Sequence, residues 1–557
     1  MAALFCLLAL SSSATAKIVS DASPSLSFSS KIIQGQPLDG FVSFSIEFAS
    51  FPDFAGNVSH PNKFSNNLLN NLGYLTGTKP YIRVGGNTQD YAIYNPNLTV
   101  ALNGTVNATR SPDYPTTIEI GPSYFESYQT WPNVKFTHGF NMGGNHDDRQ
   151  WATLIQTAAI ACKTLGKDKL HWWEYGNEPD LFATSAQGPV RPSNYNESDY
   201  VKEWLAATRA IKGVLAEQCP DMLSDETYGY LAPSFAGISN HLKAPLAWAD
   251  GLDTDGTIRY FSTHNYISGA TSPGVTLQGT LMNHTRTRSS VDPHVSEFAS
   301  VSASAAAAPG LVQIMGETNS LYNQGKPGLS NSFGAALWGV DFNLYCASVG
   351  IGRVHMHMGT NYRYASWQPV TTGLATIGTK APYYGNVAVA AFLGNLRIEP
   401  VRVAHLDLRP SPSSSDANKT ETETEVGVQD AAYAAYVDGA LARIMVVNMR
   451  AYNYTLGGAG DLSRRNPARR RARTYAFGVA GLRDGREALV RRLRANGSDA
   501  VTGITWDGLS YNYELDLGRP VRLPNVTAGE RAAVRRGVVE VDVLDSEAVV
   551  LDFGAAV

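Results

Sequence analysis

Eight short runs rich in apolar, β-branched and aromatic residues recur between Phe41 and Asn395, and they constrain the fold of this 557-residue chain most strongly. They are FVSFSIEF (41–48), YIRVGG (81–86), VKFTHGF (134–140), LHWWEYGNE (170–178), GYLAPSFA (229–236), RYFSTHNYI (259–267), LVQIMGE (311–317) and GRVHMHMG (352–359). Helical patterns lie between them, such as Arg149–Leu165, Ser198–Glu217, Ser332–Ser348 and Tyr384–Leu396. Near-continuous apolar strands alternating with helices signal βαβ units and a parallel sheet buried on both faces. Eight units predict an α/β fold, a (β/α)8 TIM barrel over residues 41–396. The longest connection, Asn87–Trp131, follows the second strand and belongs on the C-terminal rim, where substrates bind in this architecture.

Beyond residue 400 the composition shifts to twenty Arg and one Lys against twenty acids. Runs such as ALARIMVVNM (440–449) and VVEVDVLDSEAVVLDF (538–553) alternate at period two between turn residues. That pattern predicts an antiparallel β-sandwich over 397–557, with residues 17–40 adding N-terminal strands to it. SPSSSDANKTETETE (411–425) reads as a solvated loop. A net charge of −4 with 43% hydrophobic residues describes a globular protein and gives no pull toward nucleic acid.

The first sixteen residues, MAALFCLLALSSSATA, carry an apolar run too short to span a bilayer and end in Ala-Thr-Ala. They read as a signal peptide cleaved after Ala16, which implies secretion and no membrane attachment thereafter. Ten Asn-X-Ser/Thr acceptors agree, three of them crowded into one exposed stretch over Asn97–Thr109. With Cys6 removed, Cys162, Cys219 and Cys346 remain; Cys162 and Cys219, both in helical stretches, are the better candidates for a disulfide.

Two segments carry chemistry. In WWEYGNEPD, Trp172–Asp180, Pro179 stops the strand and leaves Glu178 where strand meets loop. Burial among Trp172, Trp173 and Tyr175 would raise its pKa and suit it to donate a proton. In LVQIMGETNS, Leu311–Ser320, Gly316 precedes Glu317 at the end of another strand. Paired carboxyls on two barrel strands about 5–5.5 Å apart are the arrangement of retaining glycosidases.

These motifs, on the fourth and seventh strands, resemble the large clan of retaining (β/α)8 glycosidases. The closest resemblance is to glycoside hydrolase family 79, the β-glucuronidases and heparanase-like enzymes. It rests on FSIEF around Glu47, RVGGNTQD at 83–90, NEP at 177–179, STHNY at 262–266 and GETNSLY at 316–322. The resemblance implies Glu178 as acid/base and Glu317 as nucleophile. It implies Asn177 on the sugar 2-hydroxyl, Tyr266 beside the nucleophile and Glu47 on hydroxyls of the terminal sugar. Tyr322 and amides among Asn323, Gln324 and Gly325 would hold the sugar carboxylate, and Asn87, Asp90 and Tyr364 would complete the pocket.

The implied activity is that of a retaining exo-β-glucuronidase releasing glucuronic acid, or its 4-O-methyl form, from non-reducing ends of glycans. Neither metal nor cofactor is implied, and a monomer is expected. An endo-acting, heparanase-like hydrolase and a catalytically silent glycan-binding protein on the same barrel remain alternatives.

Other signals have weaker claims. His355 and His357 share one face of the last strand and read as locally bonded rim or core histidines, for want of a third metal ligand. His138, His146, Asp147 and Asp148 lack ligand spacing. Arg464–Arg494 holds eleven Arg against Asp484 and Glu487, either a patch for acidic polysaccharide or scattered surface arginine.

Overall fold

A computed structural model describes residues 17–22, 34–144, 147–185, 189–304, 310–410, 426–453 and 470–554. The expected signal peptide, the 411–425 loop and His146 lie outside the described residues.

Eight strands close a barrel: β1 (Val42–Glu47), β2 (Ile82–Gly85), β3 (Phe136–Phe140), β4 (Leu170–Tyr175), β5 (Tyr230–Phe235), β6 (Ile258–Gly269), β7 (Val312–Tyr322) and β8 (Val354–Met358). Each pairs in parallel with its sequence neighbour, and β8 closes on β1 with His357 opposite Ser45. All eight runs expected from sequence are these strands. The main outer helices are α1 (Lys63–Thr76), α2 (Asp148–Lys169), α3 (Glu197–Gln218), α4 (Ala244–Ala249), α5 (His284–Ser302), α6 (Phe333–Ser348) and α7 (Ala381–Leu393). Every residue of α6 and α7 is buried, because they lie between the barrel and the second domain.

The second domain begins with β9 (Val401–His405) and continues through β10 (Asp430–Val437), β11 (Ala440–Asn448), β12 (Ala472–Gly478), β13 (Glu487–Arg494), β14 (Val538–Leu544) and β15 (Glu547–Asp552). Its larger sheet contributes Tyr433, Met445 and Val550 to the barrel core on one face. On the other it packs Ile444, Val446 and Leu551 against Tyr475, Phe477 and Val541 of the smaller sheet. The N-terminal segment joins both sheets, Lys17–Asp21 the smaller and Gln34–Gly35 the larger. One expectation needs refinement: Lys17–Asp21 runs parallel to β12, so the smaller sheet is mixed.

Among the described residues, part of the basic stretch is paired within the fold. Arg492 bonds Glu530 and Glu547, Arg494 pairs with Glu547, and Arg491 with Asp552. Arg470 donates to the carbonyls of Ala495, Asp545 and Ser546. These four arginines therefore have structural partners.

The connection after β2 is more than a loop. Thr117–Ile120 pairs in parallel with Ala92–Tyr94 and antiparallel with Leu102–Thr105, forming a small sheet on the rim. Asn97, Asn103 and Asn107 are exposed on it, whereas the acceptor Asn453 is buried. Cys162 in α2 and Cys219, directly after α3, form a disulfide with Cα atoms 6.2 Å apart, and Cys346 is a buried free thiol. No helix of the described residues is long and apolar enough to cross a membrane.

Candidate active site

Glu178 sits in a tight turn after β4. Gly176 adopts φ 85°, and a Cβ there would lie 2.7 Å from Met142 Sδ, so the turn requires glycine. Glu178 itself is left-handed, φ 52° and ψ 48°, a conformation costing about 1–3 kcal/mol that the surroundings must hold. Its N–H bonds Ser234 O at 3.0 Å. The preceding N–H, of Asn177, bonds Asp90 Oδ2 at 2.9 Å.

Glu317 lies within β7. A Cβ on Gly316 would come 2.0 Å from Ser262 Oγ, so glycine lets β7 approach β6 just before the carboxylate. Glu317 Oε1 accepts from the Tyr266 hydroxyl at 2.7 Å and Oε2 from Arg83 Nη1 at 2.6 Å. Carboxylate oxygens of Glu178 and Glu317 and a ring nitrogen of His264 lie within 4.8 Å of one another.

The two carboxyls are driven apart in protonation. Burial, reinforced by the charge of Glu317, pushes Glu178 up to about 8. Burial also works against ionisation of Glu317, but His357, His264 and Arg83 together hold it down to about 2. One group is an acid and the other an anion across neutral and acidic pH. Cations facing Glu317 oppose a metal ion among these ligands.

Three residues given no role from sequence organise the pair. Arg83, fully buried on β2, also donates to Glu174 at 2.7 Å, Ser45 at 3.0 Å and Asn177 Oδ1 at 2.8 Å. His264 Nδ1 is 2.9 Å from Glu178 Oε1, and burial lowers its pKa to about 4, so the imidazole is neutral near pH 7 and charged only in the acid range where Glu317 titrates. His357 is the locally bonded core histidine expected, with Nδ1 2.9 Å from Ser45 Oγ, and it also faces two carboxylates: Nε2 is 3.4 Å from Glu47 and Nδ1 3.5 Å from Glu317. Burial opposes its charge, yet these two carboxylates raise its pKa. His355 only approaches Phe44 O, at 3.4 Å.

The other expected site residues divide. Glu47 is buried and accepts from Thr88 N and Oγ1 at 2.9 and 2.6 Å and from the Tyr362 hydroxyl at 3.0 Å. Gly86, with φ 105°, leaves room for it. Asn177 Nδ2 donates to Asn87 at 3.1 Å, and Tyr364 packs 6.1 Å from Tyr266, ring to ring. Asp90 has a supporting place: its carboxylate takes the N–H groups of Met142, Gly143 and Asn177, bracing the loops after β3 and β4.

Tyr322 is 47% exposed, lies against Gly269 and has its hydroxyl 3.3 Å from Ser272. Asn323, Gln324 and Gly325 are all left-handed. The Gly325 N–H is already bonded to Leu321 O, which leaves the amides of Asn323 and Gln324 as the free donors there among the described residues. The expected aromatic shell around Glu178 is also corrected. Trp172 packs against His171 and Tyr260, and Trp173 against Phe140 and His138.

A protonated carboxyl in the turn after β4 and an ionised one on β7, close together in a (β/α)8 barrel, define a glycoside hydrolase. The particular group follows from similarity. A family model described as the glycosyl hydrolase family 79 C-terminal beta domain matches residues 432–550. A β-glucuronidase of Neurospora crassa is 59% identical over 519 residues, 90% of either chain. One of Aspergillus niger is 52% identical over 517 residues, 92% of this chain and 91% of that one. The chain belongs to glycoside hydrolase family 79. The crystal structure of a 4-O-α-L-rhamnosyl-β-D-glucuronidase from Fusarium oxysporum 12S superposes with a TM-score of 0.72 at 25% identity, covering 96% of this chain and 100% of that one.

Proposed function

We propose that the protein is a retaining exo-β-glucuronidase that releases glucuronic acid, or its 4-O-methyl form, from non-reducing ends of glycans. The observation that carries this is the pair Glu178 and Glu317, with carboxyl oxygens within 4.8 Å and opposite protonation. That spacing leaves no room for the water an inverting enzyme holds between its carboxyls. Glu317 attacks the anomeric carbon while Glu178 gives its proton to the leaving oxygen. Glu178 then takes a proton from the water that cleaves the glycosyl–Glu317 ester.

Glu47, Asn177 and Asn87 offer hydrogen bonds to sugar hydroxyls, and Tyr322 with the Asn323 and Gln324 amides offers neutral donors to the sugar carboxylate. Oriented N–H groups bind an anion without desolvating a second cation. The names of the fungal relatives support glucuronide over other sugars.

A panel of 4-nitrophenyl glycosides tests this. The β-glucuronide should be cleaved with β-glucuronic acid as first product by NMR, and glucuronic-acid polymers should yield monosaccharide alone. Cleavage of a galactoside or xyloside with an inert glucuronide would overturn the substrate, and mixed oligosaccharides the exo action.

Secretion is part of the same reading and rests on the 1–16 segment and the exposed acceptors on the rim sheet. Protein recovered from culture medium should begin at Lys17 and lose mass on deglycosylation. Retention of an intact N-terminus inside the cell would refute it.

A further inference from the structure

One arginine fastens the rim insertion to the opposite wall. Asp113, 8% exposed, receives Arg363 Nη1 at 2.7 Å and Nη2 at 2.6 Å, a bidentate pair. The same guanidinium donates to Gly325 O at 3.2 Å and Asn361 O at 3.3 Å, and the Arg363 N–H bonds Gln324 O at 2.8 Å. Arg363 thereby joins the loops that follow β2, β7 and β8. The adjacent residues repeat the grip. Tyr114 meets Tyr362 edge to face with centroids 6.5 Å apart, and the Tyr362 hydroxyl reaches Glu47. Lys380 donates to Tyr362 O at 2.8 Å beside Arg363 and Asp113, and burial with the Arg363 charge pushes its pKa down to about 7.

On the glucuronidase reading, C1 of the bound sugar faces Glu178 and Glu317. His357 separates Glu317 from Glu47, which puts Glu47 toward the far edge of the ring. C4 lies across a pyranose from C1, so the wall of Asp113–Tyr114 against Tyr362–Arg363 stands where a substituent on O4 would leave the pocket. We propose that the Asp113–Arg363 pair is a specificity latch, holding the insertion against O4 of the terminal glucuronyl residue and refusing a glycosyl group there. This rests on the proposed function and adds the residues that set which terminus is accepted.

The test compares an aryl β-glucuronide with its 4-O-α-L-rhamnosyl derivative in wild type, Asp113→Ala and Arg363→Ala. Wild type should cleave the first and leave the second. In the variants the ratio of kcat/KM should move toward the substituted substrate by about tenfold or more, mostly through KM. Asp113→Ala should shift it further, because it leaves the Arg363 guanidinium without its carboxylate. Arg363→Lys, which keeps the charge and loses the fork, should give a smaller shift and serves if the alanine variants do not fold. A purely structural role predicts equal losses on both substrates. A ratio unchanged within about twofold, or a wild type cleaving both substrates equally, overturns the latch. A wild type inert to every glucuronide overturns the function and the latch together.

Discussion

Glu317→Gln is expected to lower kcat for an aryl β-glucuronide by about ten-thousandfold or more while the protein stays folded. The amide can keep both neighbours, with its carbonyl accepting from Arg83 and its NH2 donating to the Tyr266 oxygen, which now bond the two carboxylate oxygens. What disappears is the proposed nucleophile. Glu178→Gln should behave differently, because a proton is needed only by a poor leaving group. Its loss should be about 10²–10⁴-fold on a sugar leaving group and smaller in the first step with a dinitrophenyl one.

The pH profile follows from the same pair. Glu317 is ionised above about 2 and Glu178 protonated below about 8, so kcat/KM should hold between those limits and fall as Glu178 loses its proton. The alkaline limb should be missing from the profile of Glu178→Gln. Near-normal turnover by either variant would remove these roles.

Arg83→Met carries the second large effect. The guanidinium is fully buried between Glu174 and Glu317, and Ser234 donates to Glu174 on its other side at 2.6 Å. Removing the cation leaves two buried carboxylates without their partner, which costs about 3–5 kcal/mol. A fall in Tm of about 10 °C is the expected size for a domain this large. Catalysis should suffer separately: without Arg83 the Glu317 pKa rises, and the acid limb of kcat/KM moves to higher pH. Arg83→Lys restores charge without the fork and should recover only part of either property. A melting curve within about 2 °C of wild type would show that Glu174 and Glu317 do not depend on Arg83.

Much of the architecture was legible because it depends on local periodicity. Strands buried on both faces need unbroken apolar runs, and all eight runs became barrel strands. The connection after β2 was harder to read. Thr117–Ile120 alternates polar and apolar residues, but four residues are too few to announce a strand, and it forms one where Ala92–Tyr94 and Leu102–Thr105 lie beside it. The parallel pairing of Lys17–Asp21 with β12 joins segments more than 450 residues apart, so nothing near residue 17 signals it.

By itself the sequence singled out Glu178 and Glu317 as candidates, because Pro179 must end a strand and an apolar strand runs into Gly316 and Glu317. The resemblance to glycoside hydrolase family 79 added Asn177, Tyr266 and Glu47 as candidates, through motifs near strand ends. Only the tertiary structure decided what surrounds them. Arg83 stands 234 positions from Glu317, and His357 reaches Glu47 because β8 closes against β1. The protonation of the two glutamates was likewise beyond sequence. It is set by burial and by charges a few ångströms away, and those neighbours exist only once the barrel has closed.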